Sequence, residues 1–157
     1  MAEEEVSYLT PEGKEDLERE LDSLLTVKRP DLAIKLKEAV AMGDLKENAD
    51  YHDTREQMAL LDGRVQRIES ILKDAVLIEK TEDNSEVRLG ATVTIREVGT
   101  KEDETYMIVG AAEANPREGR ISSKSPIGGA LIGRRKKDKV RVETPSGMVE
   151  FEIRKIE

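Results

Sequence analysis

From Tyr51 to Ala75 the chain repeats in alternating steps of three and four: Tyr51, Thr54, Met58, Leu61, Val65, Ile68, Leu72 and Ala75. Thr54 is the one polar member, and the intervening positions are mostly charged or small. Such a seam belongs to a helix whose single apolar stripe packs on another helix, as in a coiled coil. A helix over about residues 48–75 is roughly 40 Å long at 1.5 Å per residue. One seam of that length needs a partner, and the chain offers it upstream. Thr10-Pro11-Glu12 has a capping hydroxyl, a proline suited to the first helical position and an acid at the positive end of the helix dipole. Leu17, Leu21, Leu24 and Leu25 then share a face, and Leu32, Leu36, Ala39 and Met42 resume it. Pro30 lies between the two groups. It lacks a backbone donor, so the spacing predicts a kink or a second helix start there. Gly43 ends this arm. Two arms of similar length with a short connection predict an antiparallel hairpin, its tip near residues 43–51.

Beyond Val76 the period changes. Residues 76–79 read as a short strand and 81–89 as a polar linker that permits some hinge motion. Residues 90–98, 104–109, 139–143 and 148–153 alternate as strands do. Thr144-Pro145-Ser146-Gly147 supplies a turn, and Ser125-Pro126-Ile127 starts a short apolar helix that Gly133 ends. The fold class expected is therefore α+β: a coiled-coil hairpin over residues 1–78, then a small antiparallel sheet of four or five strands with one short helix over 79–157.

Charge narrows the function. Of the net charge of −8, residues 1–80 carry all, with 20 acidic and 12 basic side chains; the remainder balances. An acidic rod is a poor ligand for free duplex nucleic acid, yet is drawn into a positively lined channel. With no Trp and one Phe, a broad base-stacking surface is not expected. No cysteine is present, which removes disulfides and thiolate chemistry. The first residues lack an apolar signal core and no run is long enough to span a bilayer, so a cytoplasmic protein without a membrane partner is expected. No Ser-His-Asp set, phosphate-binding loop or dinucleotide motif occurs.

The chemistry concentrates at the tip, Gly43-Asp44-Leu45-Lys46-Glu47-Asn48-Ala49-Asp50-Tyr51. On a helical turn Asp44 and Glu47 share a face, with Asp50 three residues on. Hard oxygen donors suit Mg²⁺, which takes one or two protein carboxylates and keeps most of its waters; beside a second metal such a site assists attack on a phosphodiester. The same acids also suit capping of the second helix and solubility of a loop, the commoner role of an acidic loop, and spacing alone does not outweigh that reading. Asn48 reads as a cap or brace and Tyr51 as an apolar lid below the tip. Arg55 reads as a phosphate contact, an indirect partner of the tip acids or a solvated side chain, and His52, the single histidine, as a surface residue. The basic run 134–141 suits contact with an RNA or DNA backbone, but such a run is more often a solvated strand edge guarded by lysines.

Taken in order, these segments resemble the bacterial Gre transcript-cleavage factors, the GreA type most closely, over nearly the whole chain. The resemblance rests on Leu9-Thr10-Pro11-Glu12-Gly13, Arg29-Pro30, the tip motif, Gly90-Ala91-Thr92-Val93, Ile108-Val109-Gly110, Ser125-Pro126-Ile127, Ala130-Leu131-Ile132-Gly133 and Thr144-Pro145-Ser146-Gly147. It implies an FKBP-like C-terminal domain that docks on the largest catalytic subunit of RNA polymerase, and a hairpin that enters the secondary channel. There Asp44 and Glu47 would help hold a second Mg²⁺, jointly with the polymerase, while the polymerase cuts the extruded 3′ RNA of a backtracked complex. The factor stimulates that reaction and is not itself the enzyme; a monomer is expected. Ser125, Pro126 and Ile127 match the polymerase-contacting region, with Lys124 where relatives often carry Asp or Asn. Lys28, Arg29 and Arg55 match a small RNA-facing basic patch, reduced by Val40 where some relatives have Arg. Asp50 stands where Glu is common. Three rivals remain: a channel-docking inhibitor without cleavage, which would have an altered tip; an acidic coiled-coil chaperone, which needs apolar arm tips; and a prolyl isomerase, which needs an aromatic-lined pocket.

Overall fold

The structure, a computed structural model, describes residues 6–79 and 82–157. The acidic start before Val6 and the first linker residue, Thr81, lie outside the described residues. Two compact units are present: Lys14–Asp74, and the residues up to Gly13 together with Ala75–Glu157. The residues flanking the hairpin on both sides, 6–13 and 75–78, thus pack with the C-terminal unit.

The chain runs through β1 (Tyr8–Leu9), α1 (Pro11–Ser23), a five-residue π-helical segment (Leu24–Lys28), α2 (Arg29–Ala41) and α3 (Ala49–Asp74). The start of α1 is as the sequence predicts: the Thr10 hydroxyl accepts from the Gly13 amide at 3.0 Å. Pro30 does not break the arm. The turn before it widens, so that the Arg29 amide bonds to the Leu24 carbonyl five residues back. The wider turn makes room for the proline ring, which in a regular α-helix collides with the carbonyl four residues earlier. The buried residues of this arm fall at Leu17, Leu24, Leu32 and Ala39, so the interval across the wide turn is eight residues and the intervals on either side seven.

α3 is 26 residues, about 39 Å, and packs along α2. Thr54, Leu61, Val65 and Ile68 of the predicted seam are buried, and Tyr51, Met58 and Leu72 half-buried. Ile71, off the strict seam, is buried too; a helix of 3.6 residues per turn drifts by about 20° per heptad and brings it inward. Met42 does not continue the first stripe. It follows the end of α2 and is 78% exposed. Glu20 and Arg64 tie the arms with two parallel hydrogen bonds of 2.6 and 2.8 Å, and Arg29 bonds Asp62 at 2.6 Å. The Arg64 hydrogen bond holds the Glu20 carboxyl below the usual carboxylate range against the opposing effect of burial, aided by the charges of Arg64 and Lys28.

In the C-terminal unit β1 pairs in parallel with β2 (Val76–Leu77). β3 (Thr92–Glu97), β4 (Asp103–Val109), β5 (Arg120–Ser122), β6 (Lys139–Thr144) and β7 (Gly147–Ile156) form one sheet in the order β5-β4-β3-β7-β6. All its pairs are antiparallel except β4–β5, which is parallel. Neither β1 nor β5 shows an alternation in the sequence; each is too short to carry one. α4 (Pro126–Leu131) packs against β5 and β6. Val93, Ile95, Ile108, Leu131, Val142 and Ile153 are at the centre of the core, joined by Val87 from the expected linker. Phe151, Ile153 and Ile156 all face inward although the last interval is odd. A bulge explains this: Thr94 pairs with Lys155 and Ile95 with Ile153, leaving Arg154 as the extra residue. The basic run ends in β6, a sheet edge whose Lys139 and Arg141 are exposed, as a guarded edge requires.

Candidate functional site

The tip is built where α2 ends and α3 begins. Gly43 closes α2 with φ +80, and Asp44 follows with φ +31. A left-handed glycine after a helix end is ordinary; a left-handed aspartate is tolerated at some cost. Residues 45–47 form turns rather than helix, so Asp44 and Glu47 do not share a helical face as the spacing predicts. They flank instead a turn closed by the Glu47 amide, which donates to the Asp44 carbonyl at 3.3 Å.

Asn48 organises this turn. Its Oδ1 accepts from the Tyr51 amide at 3.0 Å and so caps α3. Its Nδ2 donates to the Ala39 carbonyl at 2.6 Å, reaching back onto the last turn of α2. One side chain thereby joins the end of one arm to the start of the other. The capping half of this role is legible in Asn48-x-x-Tyr51; the tie to Ala39 spans nine residues and leaves no local signal. Asp50, in the first turn of α3, favours the positive end of the helix.

The side chains of Asp44 and Glu47 are exposed, and no hydrogen bond or ion pair among the described residues engages them. They line an open cleft with Met42, Gly43, Asn48, Ala49 and Asp50. Among the described residues no three acidic or histidine side chains gather closely enough to hold a metal ion by themselves. The donor set therefore fits Mg²⁺ only as a supplement to ligands from elsewhere. The tip is not purely charged: Met42 and Leu45 are 78% and 43% exposed.

The basic residues are placed differently from one another. Arg29 is engaged with Asp62. Arg55 lies over the Tyr51 ring, 5.7 Å from its centre, and donates to the Tyr51 hydroxyl at 3.3 Å, not to the tip acids. Lys28 is exposed beside a groove that also presents Lys35 and Leu60. His52 faces the Lys46 carbonyl at 3.2 Å.

A second candidate surface lies on the C-terminal unit. Ser125 caps α4: its Oγ accepts from the Gly128 amide at 3.1 Å and donates to the Ser122 carbonyl at 2.7 Å. Gly128 is required there, since a Cβ would run into that same carbonyl. This packing turns Pro126 outward while Ile127 lies half-buried on the core.

The fold and site together define a class: a helical hairpin with an acidic tip, joined to a small α+β unit. Comparison with known proteins identifies that class. Residues 7–77 match the family described as "Transcription elongation factor, N-terminal", and residues 82–157 the one described as "Transcription elongation factor, GreA/GreB, C-term". The chain is 44% identical over 154 residues to the transcription elongation factor GreA of Chloroflexus aggregans, covering 98% of both chains. It is 47% identical over 148 residues to that of Roseiflexus sp. (strain RS-1), covering 94% of both. The crystal structure of GreA factor homolog 1 (Gfh1) of Thermus thermophilus is 27% identical, with a TM-score of 0.45, and the match covers 98% of this chain and 99% of that one. The chain belongs to the GreA/GreB family of transcription elongation factors and is of the GreA type.

Proposed function

We propose that this factor docks in the secondary channel of bacterial RNA polymerase and stimulates the polymerase's own cleavage of the 3′ RNA in backtracked complexes. The observation that carries this reading is the pair of unengaged carboxylates, Asp44 and Glu47, on a braced turn at the end of a helical arm about 39 Å long. A side chain committed to a salt bridge cannot also ligate an incoming ion without losing that partner; these two have none to lose. The arm carries the carboxylates to a centre that a globular surface cannot enter. Asp44 and Glu47 would together hold a second Mg²⁺ with the polymerase's ligands, an ion that supplies charge stabilisation and an activated water for phosphodiester hydrolysis. The chain's own work is to orient the two carboxylates and to bring their charge into the site. It acts as a cofactor of the polymerase, in the cytoplasm and as a monomer. The turn at Ser125, Pro126 and Ile127 meets the polymerase's largest catalytic subunit, and Lys28 supports the extruded RNA more freely than Arg29 or Arg55.

The test is cleavage of RNA in artificially backtracked elongation complexes in Mg²⁺. Asp44→Asn, chosen because asparagine tolerates the left-handed backbone, and Glu47→Gln are each expected to reduce cleavage to the level of polymerase alone while still competing with wild type for binding. Full stimulation by both variants would remove the metal-assisting role. The exposure of Met42 and Leu45 gives the chaperone reading one observation in its favour. Suppression of client aggregation, without any effect on polymerase, would establish that reading instead.

A further inference from the structure

The basic run at residues 134–141 has no part in the function proposed above, and the structure divides it in two. Lys139 and Arg141 lie on β6, where guarding a sheet edge accounts for them. Arg134, Arg135, Lys136 and Lys137 precede the strand, where there is no edge to guard. All four are exposed. The acids around them are already engaged. Glu150 pairs with Arg141 at 3.3 Å, Glu152 with Arg154 at 3.2 Å and Glu86 with Arg88 at 3.5 Å. Asp138 Oδ2 accepts from the Arg135 amide at 2.8 Å. Among the described residues, Arg134, Arg135, Lys136, Lys137 and Lys139 form no ion pair.

These cations stand on fixed backbone. Lys136 and Lys137 are the central residues of a turn closed by the Asp138 amide, which donates to the Arg135 carbonyl at 3.0 Å. Two bonds tie the turn to β7: the Lys137 amide donates to the Ile153 carbonyl at 2.8 Å, and the Ile153 amide to the Asp138 carbonyl at 2.9 Å. A third holds its approach, where the Arg134 carbonyl accepts from the Val87 amide at 2.7 Å. Lys137 has φ +74. Glycine takes that backbone freely, whereas a lysine is strained there. Strain kept at a surface position points to a use for the side chain. Like charges crowded together also repel one another, which a partner of opposite charge relieves.

We propose that this turn, together with Lys139, binds the phosphate backbone of duplex DNA without reading its sequence. A duplex carries one negative charge per about 1.7 Å of its axis, twice the density of one strand. That density suits five unpaired cations crowded into the six residues 134–139. Binders of single strands add aromatic platforms for the bases. This run holds no aromatic residue, and Phe151, which lies opposite Val140 on the neighbouring strand, is buried. A turn already fixed by backbone bonds loses little freedom when a ligand arrives. The acids of residues 1–80 weaken the contact, so its salt dependence is the quantity to measure rather than its bare affinity. This binding needs neither polymerase nor the tip carboxylates, and stands or falls apart from the cleavage reading.

The experiment titrates the full chain against a short labelled DNA duplex of mixed sequence, by fluorescence anisotropy over a range of salt concentrations. The logarithm of affinity is expected to fall against that of salt with a slope of about −4.5 when all five cations engage. Arg135→Gln and Lys136→Gln are each expected to flatten the slope by about one. Lys137→Gly is expected to do the same and to melt no lower than wild type, which shows the loss to be one of charge and not of folding. Lys35→Gln, on α2, is expected to leave the slope unchanged. Absence of binding at about 50 mM salt, a wild-type slope in the three turn variants, or an equal flattening in Lys35→Gln would overturn the proposal. So would equal affinity for a single strand of DNA or RNA. Displacement of the duplex by polyglutamate as readily as by unlabelled duplex would overturn it too, and would mark an acidic protein as the partner.

Discussion

Replacing Asn48 by alanine removes two ties at once, and the structure sets the size of the effect. Loss of the cap on α3 costs about 1 kcal/mol, and loss of the Nδ2 bond to the Ala39 carbonyl about 1 kcal/mol more. The sum, about 2 kcal/mol, corresponds to roughly a 30-fold rise in local opening. Asp44 adds to the tendency, since its positive φ stores strain that opening relieves. Native-state hydrogen exchange reads the two ties separately. The Tyr51 amide, bonded to Asn48 Oδ1, reports the cap; the Met42 and Gly43 amides, at the end of α2, report the tie. In Asn48→Ala all three are expected to exchange faster. In Asn48→Asp the cap survives, because aspartate caps as well as asparagine, but an oxygen now faces the Ala39 carbonyl. Tyr51 should then stay protected while Met42 and Gly43 do not. Unchanged Tyr51 exchange in Asn48→Ala, or indistinguishable patterns in the two variants, would refute the account of a single side chain holding both arms. Cleavage at saturating factor is expected to fall in both variants.

Two further outcomes are expected. Glu20→Gln removes an exposed, bidentate pair worth no more than about 1 kcal/mol. Because the folded carboxyl lies below its ordinary value of 4.5, its contribution is present above that pH and is lost as pH falls through the folded value. Urea midpoints of wild type and variant should therefore differ near neutrality and converge in acid; a gap that widens in acid would contradict the pairing. Pro126→Arg places a long charged side chain on the exposed start of α4, and titration against polymerase should show weaker binding with an unchanged melting temperature. Equal affinity would exclude that turn from the interface.

Much of this is legible in the sequence itself. The seam of α3 is long and regular enough to predict its extent, and Thr10-Pro11 marks the start of α1 because both residues act through local backbone chemistry. What the sequence hides is set by distant partners. Ile71 is buried by helical drift, Arg154 is extruded by a bulge, and β1 and β5 exist because neighbouring strands offer them bonds. Arg29 reads as free cationic surface until Asp62, thirty-three residues on, is seen to engage it. The tip was recognisable by composition, but its geometry was not. A left-handed Asp44 replaces the expected helical turn, and the tie from Asn48 to Ala39 has no local signature. Glu113, buried in the short 3₁₀ turn Ala111–Glu113, is the extreme case: its hydrogen-bond partner Thr10 lies 103 residues earlier.

The wide turn at Leu24–Lys28 makes the hairpin a counting device. In a regular helix one added residue turns everything beyond it by about 100° and advances it by about 1.5 Å. Here the eighth residue between Leu24 and Leu32 is absorbed locally, and the stripe resumes facing α3. An insertion of one residue elsewhere in α1 or α2 has no such outlet and would turn the stripe beyond it away from α3. An insertion of seven keeps the stripe on its face to within about 20°, and with a matching heptad in α3 it would lengthen both arms by about 10 Å. Outside the one turn that takes an eighth residue, only whole heptads added to both arms preserve the packing of the pair.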